Sequence, residues 1–264
     1  MLAGAGFARS INKEMIMKTA FITGATSGFG EATARALYAD GYALVICGRR
    51  AERLSRLASQ LGENVLSIEL DVRDKSAVFA AVESLPEKYR EIEILVNNAG
   101  LALGQEKTPD ASLEDFETMI DTNVKGLVYV TKAILPIMMA RKSGYIFNLG
   151  SVAGAWPYPG SHVYGGTKAF VRQFGLNLRN DIQGSNIRVT TIAPGIAKTE
   201  FSEVRFKGDH ERAEGVYSGT DYLTAGDIAR IISDCAKLPP HVNINYLEVM
   251  PTTQSWAGFA FEKN

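Results

Sequence analysis

The sequence predicts a single α/β domain built on a doubly wound parallel sheet flanked by helices. Strand-like and helix-like periods alternate along nearly the whole chain, the pattern of repeated βαβ units. The strand-like runs are continuously apolar, as expected where helices cover both faces of a sheet. No repeat, linker or low-complexity segment divides the 264 residues, and a 46% hydrophobic share can bury one core of that size.

Ala20–Thr23 is a short apolar run ending in a glycine-rich turn, and an alanine-rich helical stretch follows from Glu31 to Asp40. Ala43–Cys47 is a second buried run, after which Leu54, Leu57, Ala58 and Leu61 mark one helix face by their spacing. Val65–Leu70 reads as strand, and Val78, Ala81, Val82 and Leu85 as the next helix face. Ile92–Val96 is strand, with one long helix predicted from about Leu113 to Arg141. Tyr145–Leu149 is strand, Val163–Ile182 helix and Ile187–Ile192 strand. Thr224-Ala225-Gly226-Asp227 has the form of a helix N-cap, for a helix reaching about Lys237, and Ile244–Val249 closes the sheet. The segment 196–223 is irregular and carries several charges and glycines, so it reads as a lid: a loop that long in a compact domain is usually functional.

Composition excludes several classes. Twenty-eight basic against 29 acidic residues leave a net charge of −1, with no electrostatic footprint for nucleic acid or an anionic membrane. No apolar run reaches membrane-spanning length. His162, His210 and His241 are scattered, with no metal-ligand spacing, so no metal is expected. Two cysteines are too few for a disulfide framework; Cys47 reads as a buried small hydrophobe, and a reducing, cytoplasmic setting is expected. Residues 1–17 lack the apolar core of a signal peptide and read as a dispensable, disordered extension, with Met15 and Met17 as alternative starts. Residues 18–264 then form the one domain.

The run Thr23-Gly24-Ala25-Thr26-Ser27-Gly28-Phe29-Gly30 lies where the first strand gives way to the first helix. Glycines let backbone N–H groups approach a pyrophosphate, and the helix N-terminus adds partial positive charge. About 20 residues on, where a carboxylate would bind a ribose 2′-hydroxyl, the chain reads Cys47-Gly48-Arg49-Arg50. A guanidinium fork suits a 2′-phosphate, which predicts NADP(H).

Tyr164 and Lys168, in Tyr164-Gly165-Gly166-Thr167-Lys168, stand four apart on one helix face, with Ser151 upstream. A tyrosine with a pKa of about 10 is a poor base at neutral pH. A neighbouring ammonium favours the phenolate, so the spacing predicts a Tyr164 pKa lowered toward the working range and a phenol usable in proton transfer.

Together the glycine run, Leu70-Asp71-Val72, Asn97-Asn98-Ala99-Gly100, Asn123, Ser151, Tyr164/Lys168 and Pro194-Gly195 resemble the short-chain dehydrogenase/reductase family over nearly the full length from Lys18. The resemblance implies a Rossmann-type fold and a homotetramer. It implies cofactor contacts from Gly24, Thr26, Ser27, Gly28, Phe29, Gly30, Asp71, Val72, Asn98, Tyr164, Lys168, Pro194, Gly195, Ile196 and Thr199, with Asp71 and Val72 at the adenine. It also implies that Asn123 holds a water in a proton relay to Lys168. Tyr164 would exchange the substrate hydroxyl proton, Lys168 hold the nicotinamide ribose, and Ser151 orient the substrate oxygen.

Within the family, Asn98–Gly104, Gly154–Tyr158, Val204–Asp209, Asn243–Asn245 and Met250-Pro251 are similar to bacterial NADP-dependent 3-hydroxy acid dehydrogenases. That implies small substrates with a hydroxyl on the carbon β to a carboxylate: serine, allo-threonine, 3-hydroxyisobutyrate or 3-hydroxypropionate. Arg205, Lys207 and Lys198 are the basic candidates for the carboxylate, and Arg205 is the expected one. Two other readings stay open: a reductase of 3-oxoacyl thioesters or generic ketones, and a non-catalytic NADP(H) sensor that keeps only the fold.

Overall fold

The computed structural model describes residues 17–256, so the predicted extension, apart from Met17, lies outside the described residues. Seven strands form one sheet: β1 (Thr19–Thr23), β2 (Ala43–Gly48), β3 (Val65–Glu69), β4 (Ile92–Asn97), β5 (Gly144–Leu149), β6 (Ile187–Pro194) and β7 (Tyr246–Val249). Every pairing is parallel, in the order β3-β2-β1-β4-β5-β6-β7. β1, β2 and β5 are buried throughout, whereas the edge strands β3 and β7 are only partly covered. That gradient explains why the central apolar runs are the clearest strands in the sequence.

Two apolar layers fill the sheet faces. Phe21, Val45, Leu95, Ile134 and Val189 belong to one, and Ile22, Leu44, Val96, Phe147 and Ile232 to the other. The layers are covered by α1 (Gly28–Ala39), α2 (Ala51–Leu61), α3 (Lys75–Glu83), α4 (Leu113–Ile120), α5 (Leu127–Arg141), α6 (His162–Asp181) and, late in the chain, α9 (Ala225–Ala236). Winding reverses between β1 and β4, so the carboxyl ends of these neighbours open a crevice, the usual ligand position in such sheets. The α9 start is a complete capping box between Thr224 and Asp227. Cys47 and Cys235 are both buried, and burial pushes the Cys47 thiol up to about 12.

Two expectations need correction. The predicted single helix Leu113–Arg141 is interrupted: Asp121–Gly126 forms a π-helical turn between α4 and α5. A Cβ on Gly126 would lie 2.6 Å from Val72 Cγ2, so glycine permits the close approach of this turn to the Asp71-Val72 loop. The segment 196–223 is less irregular than its composition implies. It contains α7 (Phe201–Arg205) and α8 (His210–Gly215), and a parallel bridge pairs Ala197 with Leu223 at its base. Among the described residues, no helix is long and apolar enough to cross a membrane, and no cluster of His, Cys, Asp or Glu could hold a metal.

Candidate active site

The glycine turn is pinned from behind. Gly24 and Gly28 have φ of +66° and +53°, left-handed values that favour glycine. Asn98 Nδ2 donates to the carbonyls of Thr23 (2.9 Å) and Gly24 (3.0 Å), and Thr23 Oγ1 accepts from Asn98 N and Ala99 N. A Cβ on Gly24 would lie 2.9 Å from Ala99 Cα, and one on Gly30 would run into the Gly24 carbonyl. Ser27 occupies the N-cap of α1 yet makes no side-chain capping bond; its hydroxyl accepts from Arg50 Nη2 at 2.8 Å instead. The first N–H groups of a twelve-residue helix are therefore left without a side-chain cap beside the cavity, an arrangement suited to a pyrophosphate.

The two predicted arginines divide. Arg50 donates to Thr26 Oγ1 at 3.0 and 2.7 Å, and to Glu200 at 2.9 Å, bracing the glycine turn against the 196–223 segment. Arg49 is exposed, lines the same cavity, and has no hydrogen-bond partner among the described residues. The Asp71 carboxyl is bound by Arg73 at 3.0 Å and held below the usual carboxylate range by that bond, with a smaller contribution from Arg49. Val72 is buried beside it and also lines the cavity.

At the other end stand Ser151, Tyr164 and Lys168. Tyr164 is 7% and Lys168 6% exposed. The Lys168 ammonium donates to the Leu149 carbonyl at 2.8 Å and lies 5.8 Å from the centre of the Tyr164 ring. Burial lowers its pKa from 10.5 to about 8. The Tyr164 pKa differs from the sequence expectation: burial raises it, and the Ser151 hydroxyl and the Arg205 charge pull it down by less. Loss of water around the phenol outweighs the charges near it.

Asn123 sits in the π-helical turn, and its side chain is fully engaged. Oδ1 accepts from Leu101 N at 2.9 Å, while Nδ2 donates to Leu101 O at 2.8 Å and Thr167 Oγ1 at 3.0 Å. Its Oδ1 and the Lys168 Nζ flank Gly100, at 3.2 and 3.3 Å from where a Cβ would stand. Asn123 therefore ties the loop after β4 to α6, next to the lysine.

Residues of the 196–223 segment line this end. Pro194, Gly195, Ile196 and Thr199 line the cavity, and the Ile196 N–H donates to Gln254 Oε1 at 2.8 Å. Of the three basic candidates, Lys198 is paired with Glu214 and Lys207 with Asp115, at 2.7 and 2.8 Å. Arg205 alone lines the cavity. Its Nε donates to Gly104 O at 3.0 Å and its Nη1 to Tyr158 OH at 3.1 Å. Its Nη2 is buried with no partner among the described residues.

One cavity of about 550 Å³ runs from Arg49 through the glycine turn and Asn98 to Ser151, Tyr164, Lys168 and Arg205, with Asn123 behind its lining. Its shape and donors fit a dinucleotide: uncapped helix N–H groups at the middle, an unpaired guanidinium at one end, a buried tyrosine and lysine at the other. Glu200, Tyr158 and Gln254 were not singled out by sequence reasoning as site residues. Their partners lie 150, 47 and 58 positions away, so no local pattern marks them.

Residues 18–209 match the short chain dehydrogenase family. The NADP-dependent 3-hydroxy acid dehydrogenase of Salmonella typhi is 55% identical over 244 residues, covering 92% of this chain and 98% of that protein. Sulfoacetaldehyde reductase 2 of Chromohalobacter salexigens is 53% identical over 246 residues, with 92% and 98% covered. A solved structure of the closed form of serine dehydrogenase complexed with NADP⁺ has a TM-score of 0.92 at 53% identity, over 93% of this chain and 100% of that one. Serine dehydrogenase from Escherichia coli gives 0.79 at 48% identity, over 90% and 100%. The chain belongs to the short-chain dehydrogenase family.

Proposed function

We propose that this short-chain dehydrogenase is an NADP-dependent oxidoreductase of small 3-hydroxy acids. The observation that carries the substrate class is Arg205: it lines the cavity that holds Ser151 and Tyr164, its guanidinium is fixed by Gly104 O and Tyr158, and its buried Nη2 has no partner among the described residues. A buried donor without a partner is costly, so a small shift of the guanidinium toward a substrate carboxylate would exchange that cost for a charge-assisted bond.

The nicotinamide, when bound, supplies the hydride acceptor or donor. Ser151 orients the substrate oxygen, and Tyr164 takes its proton in oxidation or returns it in reduction. Lys168 supports the phenol's charge and holds the nicotinamide ribose; the relay water beside the lysine would sit on the main chain of Asn123, whose side chain is taken up by Leu101 and Thr167. Thr26, Ser27 and the first N–H groups of α1 hold the pyrophosphate, Arg49 the 2′-phosphate, and Asp71 and Val72 the adenine. The 196–223 segment acts as the lid. The exposed apolar residues Leu113, Ile120, Met139, Phe170 and Leu176 on α4, α5 and α6 support subunit packing in a homotetramer. The setting is cytoplasmic.

A second reading is favoured by the sulfoacetaldehyde reductase relative. In 2-hydroxyethanesulfonate the hydroxyl carbon stands at the same remove from the anion as in 3-hydroxypropionate, and Arg205 offers either anion the same donor. The test is reduced-cofactor absorbance with NADP⁺ or NAD⁺ and L-serine, L-allo-threonine, 3-hydroxypropionate and 2-hydroxyethanesulfonate. NADP⁺-dependent turnover of the carboxylates supports the proposal, and turnover of the sulfonate alone supports the second reading. Silence with all four, beside reduction of acyl thioesters, overturns both. Arg205→Gln should raise KM for the carboxylates about ten-fold or more, the loss of one hydrogen bond to a charged group.

A further inference from the structure

Glu200 has no part in that chemistry, yet it is the most heavily bonded carboxylate on the 196–223 segment. Its two oxygens accept from Arg53 Nη1 at 2.6 and 2.8 Å, and one also accepts from Arg50 Nη1 at 2.9 Å. Burial works to raise its pKa, but the Arg50 and Arg53 bonds together hold it below the usual carboxylate range. Arg50 in turn grips Thr26 and Ser27 of the glycine turn, whereas Arg53, on α2, does not line the cavity.

Glu200 is followed directly by α7, which has five residues and ends in Arg205. The helix is thus anchored at both ends. Its N-terminal side rests on Arg50 and Arg53, and its last residue on Gly104 O and Tyr158. Between them, the Phe201 ring lies 5.6 Å from that of Tyr164, and Ser202 is bonded to Tyr217 at 2.6 Å. A helix of one and a half turns is short and stiff, with a rise of about 1.5 Å per residue. Displacing its first residue therefore displaces its last.

We propose that Glu200 is a positioning residue: by seating α7 on Arg50 and Arg53 it sets the place of Arg205, and so couples the cofactor turn to the substrate-anion site. The proposal rests on the reading of Arg205 as the anion ligand. Glu200 and its two arginines are each about 40% exposed, at 43%, 41% and 38%. Ion pairs of that exposure contribute about 1 kcal/mol or less, so the effect on KM is about three- to five-fold.

The test uses the full chain with saturating NADP⁺ and two substrates, 3-hydroxypropionate and 1,3-propanediol, which keeps the hydroxyl but has no carboxylate. Glu200→Gln should raise KM for the acid about three- to five-fold with kcat within two-fold, and leave kcat/KM for the diol unchanged. Arg53→Gln, which perturbs Glu200 from outside the cavity, should move KM in the same direction, and Glu200→Asp should recover part of the loss. In an Arg205→Gln background, Glu200→Gln should add nothing. Equal losses on acid and diol would overturn the proposal by making Glu200 merely structural. A raised KM for NADP⁺ beside an unchanged KM for the acid would overturn it as well. Should Arg205→Gln itself leave the acid KM unaltered, the anion reading fails and the proposal falls with it.

Discussion

Lys168→Met should make the protein less active and, at neutral pH, relatively more stable than at alkaline pH. Lys168 is 6% exposed, and among the described residues its ammonium has one hydrogen-bond acceptor, the Leu149 carbonyl, and no carboxylate partner. Burial alone lowers its pKa from 10.5 to about 8. A proton bound less tightly in the folded than in the unfolded chain destabilises the fold wherever the unfolded chain is protonated. The penalty is therefore full below about pH 8 and fades as pH rises toward 10.5. The drop in pKa corresponds to roughly 3 kcal/mol, of which about 2–3 should be relieved between pH 7 and pH 10. Methionine keeps the length without the charge. The loss of the Leu149 hydrogen bond is common to both pH values, and so are the remaining tyrosines and cysteines, so all of these cancel in the difference. Urea unfolding of both proteins without cofactor, at pH 7 and pH 10, reads it directly. The gap between variant and wild type should shift by about 2–3 kcal/mol toward the variant at pH 7. Parallel pH dependences would refute the picture of a buried, uncompensated cation.

Other outcomes follow from the same geometry. Tyr164→Phe should bind NADPH within about two-fold of wild type yet lose at least 10²-fold in turnover, the usual share of a general acid–base group; stopped-flow binding beside steady-state rates separates the two. Because burial holds the Tyr164 hydroxyl protonated, alcohol oxidation should quicken as pH rises from 7 to 10, while carbonyl reduction, which uses the protonated phenol, stays flat over that range. Two pH profiles rising together would contradict that assignment. Arg49→Ala should weaken NADPH about ten-fold or more and leave NADH unchanged, as measured by fluorescence titration.

Much of this architecture is readable from the sequence because burial there is continuous. Ala43–Cys47 is apolar without a break and proves buried at every position, so its run marks a central strand directly. The π-helical turn at Asp121–Gly126 is hidden, because the surrounding stretch keeps a helical period. What accompanies the break is Asn123 bonding to Leu101, a residue 22 positions back in the chain. The raised pKa of Tyr164 is hidden for a related reason. Spacing brings a lysine near the phenol, but says nothing of how much water the fold removes from both. Lys198, Arg205 and Lys207 look alike along the chain and are told apart only by Glu214, Gly104 with Tyr158, and Asp115.

The adjacent arginines carry the same lesson into the proposed function. A sequence reading assigns Arg49 and Arg50 one joint role at a 2′-phosphate, since both are cations in the right place. In the fold, Arg50 has Thr26, Ser27 and Glu200 as partners, so most of its donors are engaged and it shares a carboxylate with Arg53. Arg49 has neither among the described residues, and under the proposed function it is the guanidinium that meets the 2′-phosphate. On that proposal Glu200 opposes phosphate at this end of the cavity while it supports the anion site at the other. Neutralising it should hold or lower the KM for NADP⁺ while raising that for the acid. Opposite movements in two Michaelis constants from one substitution are not what a general loss of stability produces.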